Sequence, residues 1–152
     1  MALPDIFSKT VADEIIGRIK ALTPTTQPKW GKMNVGQMLA HCCVTYEMIY
    51  DNKHPAPKGM MKLMLKLLVK NAVVSEKPYK HNSRTAPAFL MTTEKEVNKE
   101  KERLIGYLTK TQQLGHKEFD GKASLSFGNL TVTEWNNMFY KHLNHHLLQF
   151  GV

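Results

Sequence analysis

The arrangement of apolar and polar positions predicts a chain that is mostly helical. In four long segments, apolar residues recur at every third or fourth position, as on one face of an α-helix. A fifth segment is apolar at most positions and carries a lysine at every fourth residue. The predicted helices are Asp5 to Leu22, Asn34 to Tyr50, Lys58 to Val74, Thr93 to Leu114 and Thr131 to Gln149.

The connections between these helices are long. Prolines interrupt the chain in Thr23 to Lys29 and in Asp51 to Pro57. The polar loop Ser75 to Ala88 is long for a compact domain, so we expect it to be either functional or mobile. Gly115 to Leu130 is predicted to be a glycine-rich loop, in which only Lys122 to Phe127 alternates as a strand does. We therefore predict an all-α helical bundle of four long helices, with an additional short helix and long connecting loops.

Length and composition fit a single domain, residues 1–152. A hydrophobic fraction of 42% supplies one core and argues against disorder. The two cysteines, Cys42 and Cys43, are adjacent and form no disulfide framework, so a reducing compartment is expected. The first residues lack the apolar run of a signal peptide, and no stretch reaches the roughly 18 apolar residues of a membrane span. We therefore expect a soluble, cytoplasmic protein.

The formal net charge of +8 is concentrated in the middle of the chain. Residues 31–92 hold nine basic and three acidic side chains, and eight of the nine basic ones are lysines. Proteins that read DNA bases place arginine, asparagine and aromatic side chains among their positive charges. A lysine-rich segment instead favours solubility or the attraction of a small anion. We expect a small-molecule substrate, with an anionic one favoured, and no nucleic-acid partner.

Lysines at positions 58, 62, 66 and 70 line one edge of the predicted helix Lys58 to Val74. One interpretation is a basic amphipathic helix that binds a membrane surface or a calmodulin-like partner. A second is a helix buried on most sides, whose lysines extend along one exposed edge. The apolar arc is too wide for a clean interfacial helix, so we favour the second and expect no membrane partner. The excess apolar surface also raises the hypothesis of a homodimer contact.

Two histidines lie in the apolar stripe of the last predicted helix. On a helical wheel, His142 and His146 fall in the middle of the stripe that contains Trp135, and His145 lies at its edge. A buried imidazole must satisfy both ring nitrogens or lose roughly 1–3 kcal/mol. A shared metal ion takes one nitrogen of each ring, and a spacing of four residues points both side chains the same way. The pattern makes His142 and His146 candidate metal ligands.

A third ligand has to come from another helix. His41 fits best, because it lies on the flank of the second predicted helix, beside Met38 and Thr45. A flank position places the site near one edge of the core, within reach of solvent. The remaining histidines are predicted to be solvated surface residues in or next to loops: His54, His81 and His116.

Other reactive side chains have simpler interpretations. Cys42 falls on an apolar face, and buried cysteines usually behave as small hydrophobic residues, so a redox or ligand role for Cys42 or Cys43 is disfavoured. Trp30 and Trp135 are expected in the core or in a pocket wall. Glu47 stays open as a base held behind the ligands.

Three stretches carry a resemblance to a known superfamily. Trp30 to Cys42 reads Trp-Gly-Lys-Met-Asn-Val-Gly-Gln-Met-Leu-Ala-His-Cys. Phe127 to Trp135 reads Phe-Gly-Asn-Leu-Thr-Val-Thr-Glu-Trp, and Lys141 to Gly151 contains His-Leu-Asn-His-His. From about Trp30 to its C-terminus, the chain resembles a domain-of-unknown-function branch of the DinB/YfiT-like superfamily.

The resemblance implies a four-helix bundle that binds a divalent metal through three histidines. One lies in a Leu-Ala-His pattern, which His41 matches, and two lie four residues apart in the last helix, where His142 and His146 match. Members are described as candidate metal-dependent hydrolases. Some relatives are thiol S-transferases that use low-molecular-weight thiols.

Two classes of function remain open. The first is a metal-dependent enzyme: a hydrolase, in which a bound water has its pKa lowered to about 7, or a thiol S-transferase, in which a bound low-molecular-weight thiol loses its proton. Zinc, nickel or iron suits three imidazoles. The alternative is a non-catalytic binding or stress-response module with a structural or vestigial histidine cluster. The residues assign no catalytic group, substrate or particular metal.

Overall fold

A computed structural model describes residues 2–152, and most of them are helical. The prediction of an all-α protein is confirmed. In the described residues, no helix combines the length and the apolar character that crossing a membrane requires. In chain order the elements are α1 (Lys9–Ala21), α2 (Val35–Tyr50), α3 (Gly59–Met64), a π-helical turn (Leu65–Val69), α4 (Lys70–Val74), a 3₁₀ turn (Pro87–Phe89), α5 (Val97–Phe119), strands β1 (Ala123–Ser124) and β2 (Gly128–Asn129), and α6 (Val132–Gln149).

Capping boxes set the first residues of α2 and α6, the two helices that carry the candidate ligands. The Asn34 side chain accepts a hydrogen bond from the backbone N–H of Gln37, and the Gln37 side chain accepts one from the backbone N–H of Asn34. Thr131 and Glu134 make the same reciprocal pair at α6. Each box satisfies backbone donors that the start of a helix leaves without partners, so both predicted starts are confirmed.

Helices α1, α2, α5 and α6 share one hydrophobic core. Ile15 of α1, Leu39 of α2, Leu108 of α5 and Phe139 of α6 are shielded from solvent almost completely. Because α6 contacts each of the other three helices, its inward face is held from several sides. This packing presses the histidine-bearing face of α6 against α2.

Helix α5 differs from the predicted Thr93 to Leu114 at both ends. It begins after Glu96, whose side chain accepts hydrogen bonds from the first free backbone N–H groups. It also runs past Gly115, which has a φ of 67° and kinks the helix without ending it. The reason is packing, because Phe119 in the added turn is fully buried.

The predicted loop Gly115 to Leu130 therefore holds the end of α5 and also a small hairpin. Strands β1 and β2 pair antiparallel, with Ser124 opposite Gly128. The Ser124 hydroxyl donates to the Gly128 carbonyl and accepts from the backbone N–H of Phe127, which closes the turn. The alternation from Lys122 to Phe127 correctly indicated strand character, but it did not predict the second strand of the hairpin.

Residues 59–74, called the exposed helix below, are helical as predicted, but the predicted burial is wrong. Met60 is 86% exposed and Leu68 is 73% exposed. The four long helices already close the core, and the segment reaches it mainly through the buried Val74. Seven of the ten large apolar side chains that are exposed in the described residues belong to this segment: Met60, Met61, Leu63, Met64, Leu67, Leu68 and Val69.

Candidate metal centre

The structure brings together the three histidines that the sequence analysis selected. His41 projects from α2, and His142 and His146 project from successive turns of α6. The ring centroids lie 4.6 Å apart for His41 and His146, 5.0 Å for His41 and His142, and 4.9 Å for His142 and His146. One nitrogen from each ring lies within 4.8 Å of the others, so this histidine trio can hold a metal ion.

Burial keeps the trio uncharged. His41 is 5% exposed and His146 is 8% exposed, while His142 is half-buried at the edge of the core. Loss of water around the rings lowers the pKa of His41 and lowers that of His146 to about 3. Burial, reinforced by the neighbouring imidazoles, holds the pKa of His142 well below its ordinary value. All three rings are therefore neutral at pH 7, which is the state that binds a metal.

The outer nitrogen of His41 is held by the backbone. Its Nδ1 lies 2.9 Å from the carbonyl oxygen of Phe89, in the 3₁₀ turn. Because a carbonyl only accepts, Nδ1 carries the ring proton and donates it. The lone pair of His41 is therefore on Nε2, which lies 3.0 Å from Nε2 of His142.

Gln149 holds the outer nitrogen of His146 in the same way. The Gln149 amide nitrogen donates to the Trp30 carbonyl at 2.7 Å, which fixes the orientation of the amide group. Its oxygen therefore faces Nδ1 of His146, at 2.8 Å, and accepts a hydrogen bond from the N–H there. His146, like His41, is left with its lone pair on Nε2.

The third ring, His142, completes the pattern. Its Nδ1 lies 3.1 Å from the hydroxyl oxygen of Thr45, one turn after His41 on α2. All three rings are thus held through Nδ1, and one nitrogen of each lies within 4.8 Å of the others. Nε2 of His41 and Nε2 of His142 are close enough that a proton or a cation has to lie between them. The donor set fits a divalent ion, whose histidine ligands usually donate their other N–H to an oxygen.

A glycine is needed at position 31, because the Gln149 side chain packs directly against it. Gly31 has a φ of 83°, a left-handed conformation that side chains disfavour. A Cβ at this position would lie 2.5 Å from the Gln149 amide nitrogen, well inside contact distance. The backbone N–H of Lys29 also donates to the Gln149 carbonyl at 2.7 Å, so the chain before α2 is tied closely to the end of α6.

The predicted long loop Ser75 to Ala88 and the 3₁₀ turn at its end lie against the trio. The Phe89 ring is 5.3 Å from that of His41, and the Tyr79 ring is 6.5 Å from that of His142. His81 is exposed as predicted, yet its ring stacks on Trp30 at a centroid distance of 3.8 Å. This loop therefore forms a wall of the site.

A cleft opens next to the trio. His145, on its wall, has its ring 5.1 Å from that of His146, and Lys141 enters from α6. Lys141 donates to the carbonyls of Ala72 and Ser75 and makes no ion pair among the described residues. Burial lowers its pKa to about 8. No carboxylate is among the described residues that line the cleft, which are Trp30, Pro78, Tyr79, His81, Lys141, Asn144, His145 and Leu148.

Glu47 lies away from the histidine trio. It is paired with Arg103 and with His54, whose Nε2 is 2.9 Å from the Glu47 carboxylate. The hypothesis that Glu47 acts as a base behind the ligands therefore has no support in its contacts. His54 is half-buried through this pair, which the prediction of a solvated residue missed, whereas His116 is exposed and bonded to Asp5.

The two cysteines are buried, as the sequence analysis expected. Burial raises the pKa of the Cys43 thiol to about 12 and holds that of Cys42 well above its ordinary value. A thiol that stays protonated at pH 7 is a poor nucleophile and a poor metal ligand. Trp135 is a core residue, and Trp30 lines the cleft.

Three residues that position the ligands were not selected from the sequence. Gln149 follows His146 by three residues and Thr45 follows His41 by four, and these spacings place each pair on one helix face. Both Thr45 and Gln149 could therefore be found from helix spacing in the sequence. Phe89 could not, because it contributes a backbone carbonyl from a turn 48 residues away from His41.

The fold and the site define an all-α protein with a three-histidine cluster able to hold a metal ion. A family model described as "Protein of unknown function (DUF1569)" matches residues 7–151. The chain belongs to this family, and the match includes all three histidines together with Thr45 and Gln149. None of the curated proteins and none of the solved structures compared with the chain matches it significantly.

Proposed function

We propose that this protein binds one divalent metal ion through Nε2 of His41, His142 and His146. The observation that carries the proposal is the anchoring of all three rings through Nδ1, by Phe89, Thr45 and Gln149 in turn. The oxygens of Phe89 and Gln149 fix the tautomer that leaves Nε2 free for a metal, and the Thr45 hydroxyl fixes the orientation of the third ring.

We also propose that the fold is the four-helix bundle of the DinB/YfiT-like superfamily. Two features support this assignment. The four long helices α1, α2, α5 and α6 share one core. The ligands come from the second and the last of these helices, as the resemblance implies.

The function that fits this site best is that of a metal-dependent enzyme acting on a small anionic substrate. Three protein ligands leave coordination positions open, and zinc, nickel or iron bound there supplies Lewis acidity that lowers the pKa of a bound water or thiol. The cleft beside the trio supplies a binding surface. Lys141, with no carboxylate partner among the described residues, gives that surface a positive field, which attracts anions.

Of the two reactions, we place thiol S-transfer before hydrolysis. Hydrolysis at a metal is often assisted by a carboxylate base, and no such group is among the described residues that line the cleft. Once a low-molecular-weight thiol has lost its proton, the thiolate is itself the nucleophile and needs no carboxylate base. The positive cleft also suits the carboxylates that small thiols commonly carry. The aromatic walls formed by Trp30 and Tyr79 offer contact area for an apolar electrophile.

Metal analysis tests the first part of the proposal. The purified protein is expected to bind about one zinc, nickel or iron ion per chain. His142→Ala is expected to lose it, whereas His116→Ala, which removes an exposed histidine bonded to Asp5, is expected to keep it. Retention of the ion in the triple variant His41→Ala/His142→Ala/His146→Ala would contradict the assignment.

Turnover of a thiol tests the second part. With chlorodinitrobenzene, the thiol sulfur forms a bond to the ring carbon while chloride leaves and the thiol proton passes to solvent. We expect the metal-loaded protein to accelerate this reaction with glutathione or cysteine, and His142→Ala to abolish the acceleration. Acceleration of nitrophenyl ester hydrolysis alone would favour the hydrolase. Binding of the ion with neither activity would favour the non-catalytic module.

A further inference from the structure

The exposed helix presents a continuous apolar face to solvent. Its exposed side chains at Met60, Leu63, Met64, Leu67 and Leu68 follow the spacing of three and four residues that places them on one face. Monomeric proteins seldom leave so many neighbouring large apolar side chains uncovered, and such patches usually mark an interaction surface. Leu65 is half-buried and Val74 is buried, so the segment meets the body of the protein at these residues.

A row of lysines spaced four residues apart lies on the other side of the helix from this apolar face. Lys58, Lys62 and Lys66 are exposed and make no ion pair within residues 2–152, whereas Lys70 is paired with Glu134 at 2.8 Å. No acidic residue occurs between positions 52 and 75. The surface therefore combines an apolar strip with a row of uncompensated positive charges, and its partner has to be apolar and negatively charged together.

A second copy of this chain meets only half of that requirement. Two exposed helices packed face to face would bury their leucines but would leave both lysine rows outside the contact, without a partner. Because the segment carries no acidic residue, neither copy offers a complementary charge to the other.

The shape of the surface distinguishes the two remaining candidate partners, an acidic peptide and a lipid bilayer. The most exposed side chains of the helix face solvent, and no residue of the helix lines the cleft beside the trio, which leaves an acidic peptide without a groove there. A lipid surface needs no cavity. An amphipathic helix lies flat in the interface, with its apolar face among the acyl chains and its lysines level with the phosphates. Anionic lipids add an attraction for each lysine.

We propose that the exposed helix is a peripheral membrane-binding element, which docks on bilayers that contain anionic lipid. Its Met and Leu face enters the interface, and Lys58, Lys62 and Lys66 contact the lipid phosphates. The helix contributes none of the three metal-binding nitrogens, so membrane binding is independent of the metal proposed above. This proposal reverses the expectation of no membrane partner, because that expectation rested on a burial that the structure contradicts.

Vesicle co-sedimentation tests the proposal with the full chain. The vesicles are phosphatidylcholine alone, and phosphatidylcholine with about a third phosphatidylglycerol. Wild type is expected to bind the anionic vesicles and to bind the neutral ones far more weakly. Leu67→Gln/Leu68→Gln is expected to lower the affinity about tenfold or more. Lys62→Gln/Lys66→Gln is expected to weaken binding at low salt and to flatten its salt dependence.

The control is Leu90→Gln/Leu114→Gln, which makes the same change at two exposed leucines outside the helix and should bind as wild type does. All these side chains are exposed, so the melting temperature and the circular dichroism spectrum should stay unchanged in every variant. Three results would overturn the proposal. They are no binding of wild type to anionic vesicles, equal binding by the Leu67→Gln/Leu68→Gln variant, or a stable dimer that this same variant dissociates. Binding to polyglutamate but not to vesicles would also overturn it, in favour of an acidic protein partner.

Discussion

Gln149 offers a way to perturb the metal centre without removing a ligand. Its amide links the Trp30 carbonyl to Nδ1 of His146, and the residue is only 4% exposed. Gln149→Met keeps the volume and removes both hydrogen bonds. Gln149→Glu keeps an oxygen that accepts from His146 but loses the donor to Trp30. The two variants separate support of the ligand from support of the backbone.

The expected size of the effect follows from these contacts. Loss of a hydrogen-bond partner behind a histidine ligand typically weakens metal binding 10–100-fold, or about 1.4–2.7 kcal/mol. We expect this loss for Gln149→Met, whereas Gln149→Glu should bind the metal nearly as wild type does. Both variants leave the Trp30 carbonyl without its partner. Their metal-free forms should therefore lose roughly 1–3 kcal/mol in the free energy of unfolding.

Zinc affinity is measured by competition with a chromophoric chelator, and stability by urea unfolding of the metal-free protein. Gln112→Met provides the matched control. Gln112 also donates its amide to a backbone carbonyl, that of Phe7, but lies on α5 and supports no ligand. It should leave zinc affinity unchanged. Zinc binding by Gln149→Met as tight as that of wild type would refute the role assigned to the Gln149 amide.

Three further outcomes are expected. Gly31→Ala should weaken zinc binding, because the new Cβ would displace the Gln149 amide; chelator competition measures it. Zinc at about a thousand times its dissociation constant should add about 4 kcal/mol to the free energy of unfolding. A thermal melt should show this as a rise of about 8–16 °C, and His142→Ala should show no rise. Burial alone would raise the pKa of Glu47, but hydrogen bonds from His54 and Arg103 outweigh it and hold this pKa below its ordinary value. A carboxyl with a lowered pKa adds stability above its unfolded pKa and loses it as the pH falls through the folded one. In urea unfolding, Glu47→Gln should therefore cost more near neutral pH than below about pH 4.

The sequence predicted the histidine trio because two of its members share one apolar stripe. His142 and His146 lie in an apolar stripe, where a buried imidazole needs a partner for each ring nitrogen. Their spacing of four residues fits a shared metal ion. The position of His41 on the flank of its helix was not enough by itself to select it as the third ligand. The resemblance to a superfamily supported that choice. The supports behind the ligands were only partly open to prediction. Thr45 and Gln149 follow from helix spacing, whereas the Phe89 carbonyl depends on how a long irregular loop folds.

Burial of the exposed helix was the main error, and its cause is general. Apolar composition indicates that a segment prefers to leave water, but it does not reveal whether the rest of the fold has a surface left to cover it. Here the four long helices close the core among themselves. The end of α5 was misplaced for a related reason. The sequence predicts that the helix ends at Leu114, before Gly115, yet burial of Phe119 favours one more turn of helix.

The X-ray absorption spectrum of the zinc-loaded protein tests the three-histidine centre most directly. Three imidazole nitrogens at about 2.0–2.1 Å, with the outer-ring scattering that imidazoles give, are expected for wild type. In His142→Ala the zinc should be lost, or its spectrum should show one imidazole fewer. Sulfur scattering at about 2.3 Å, or a spectrum of His142→Ala identical to that of wild type, would contradict a centre built from His41, His142 and His146.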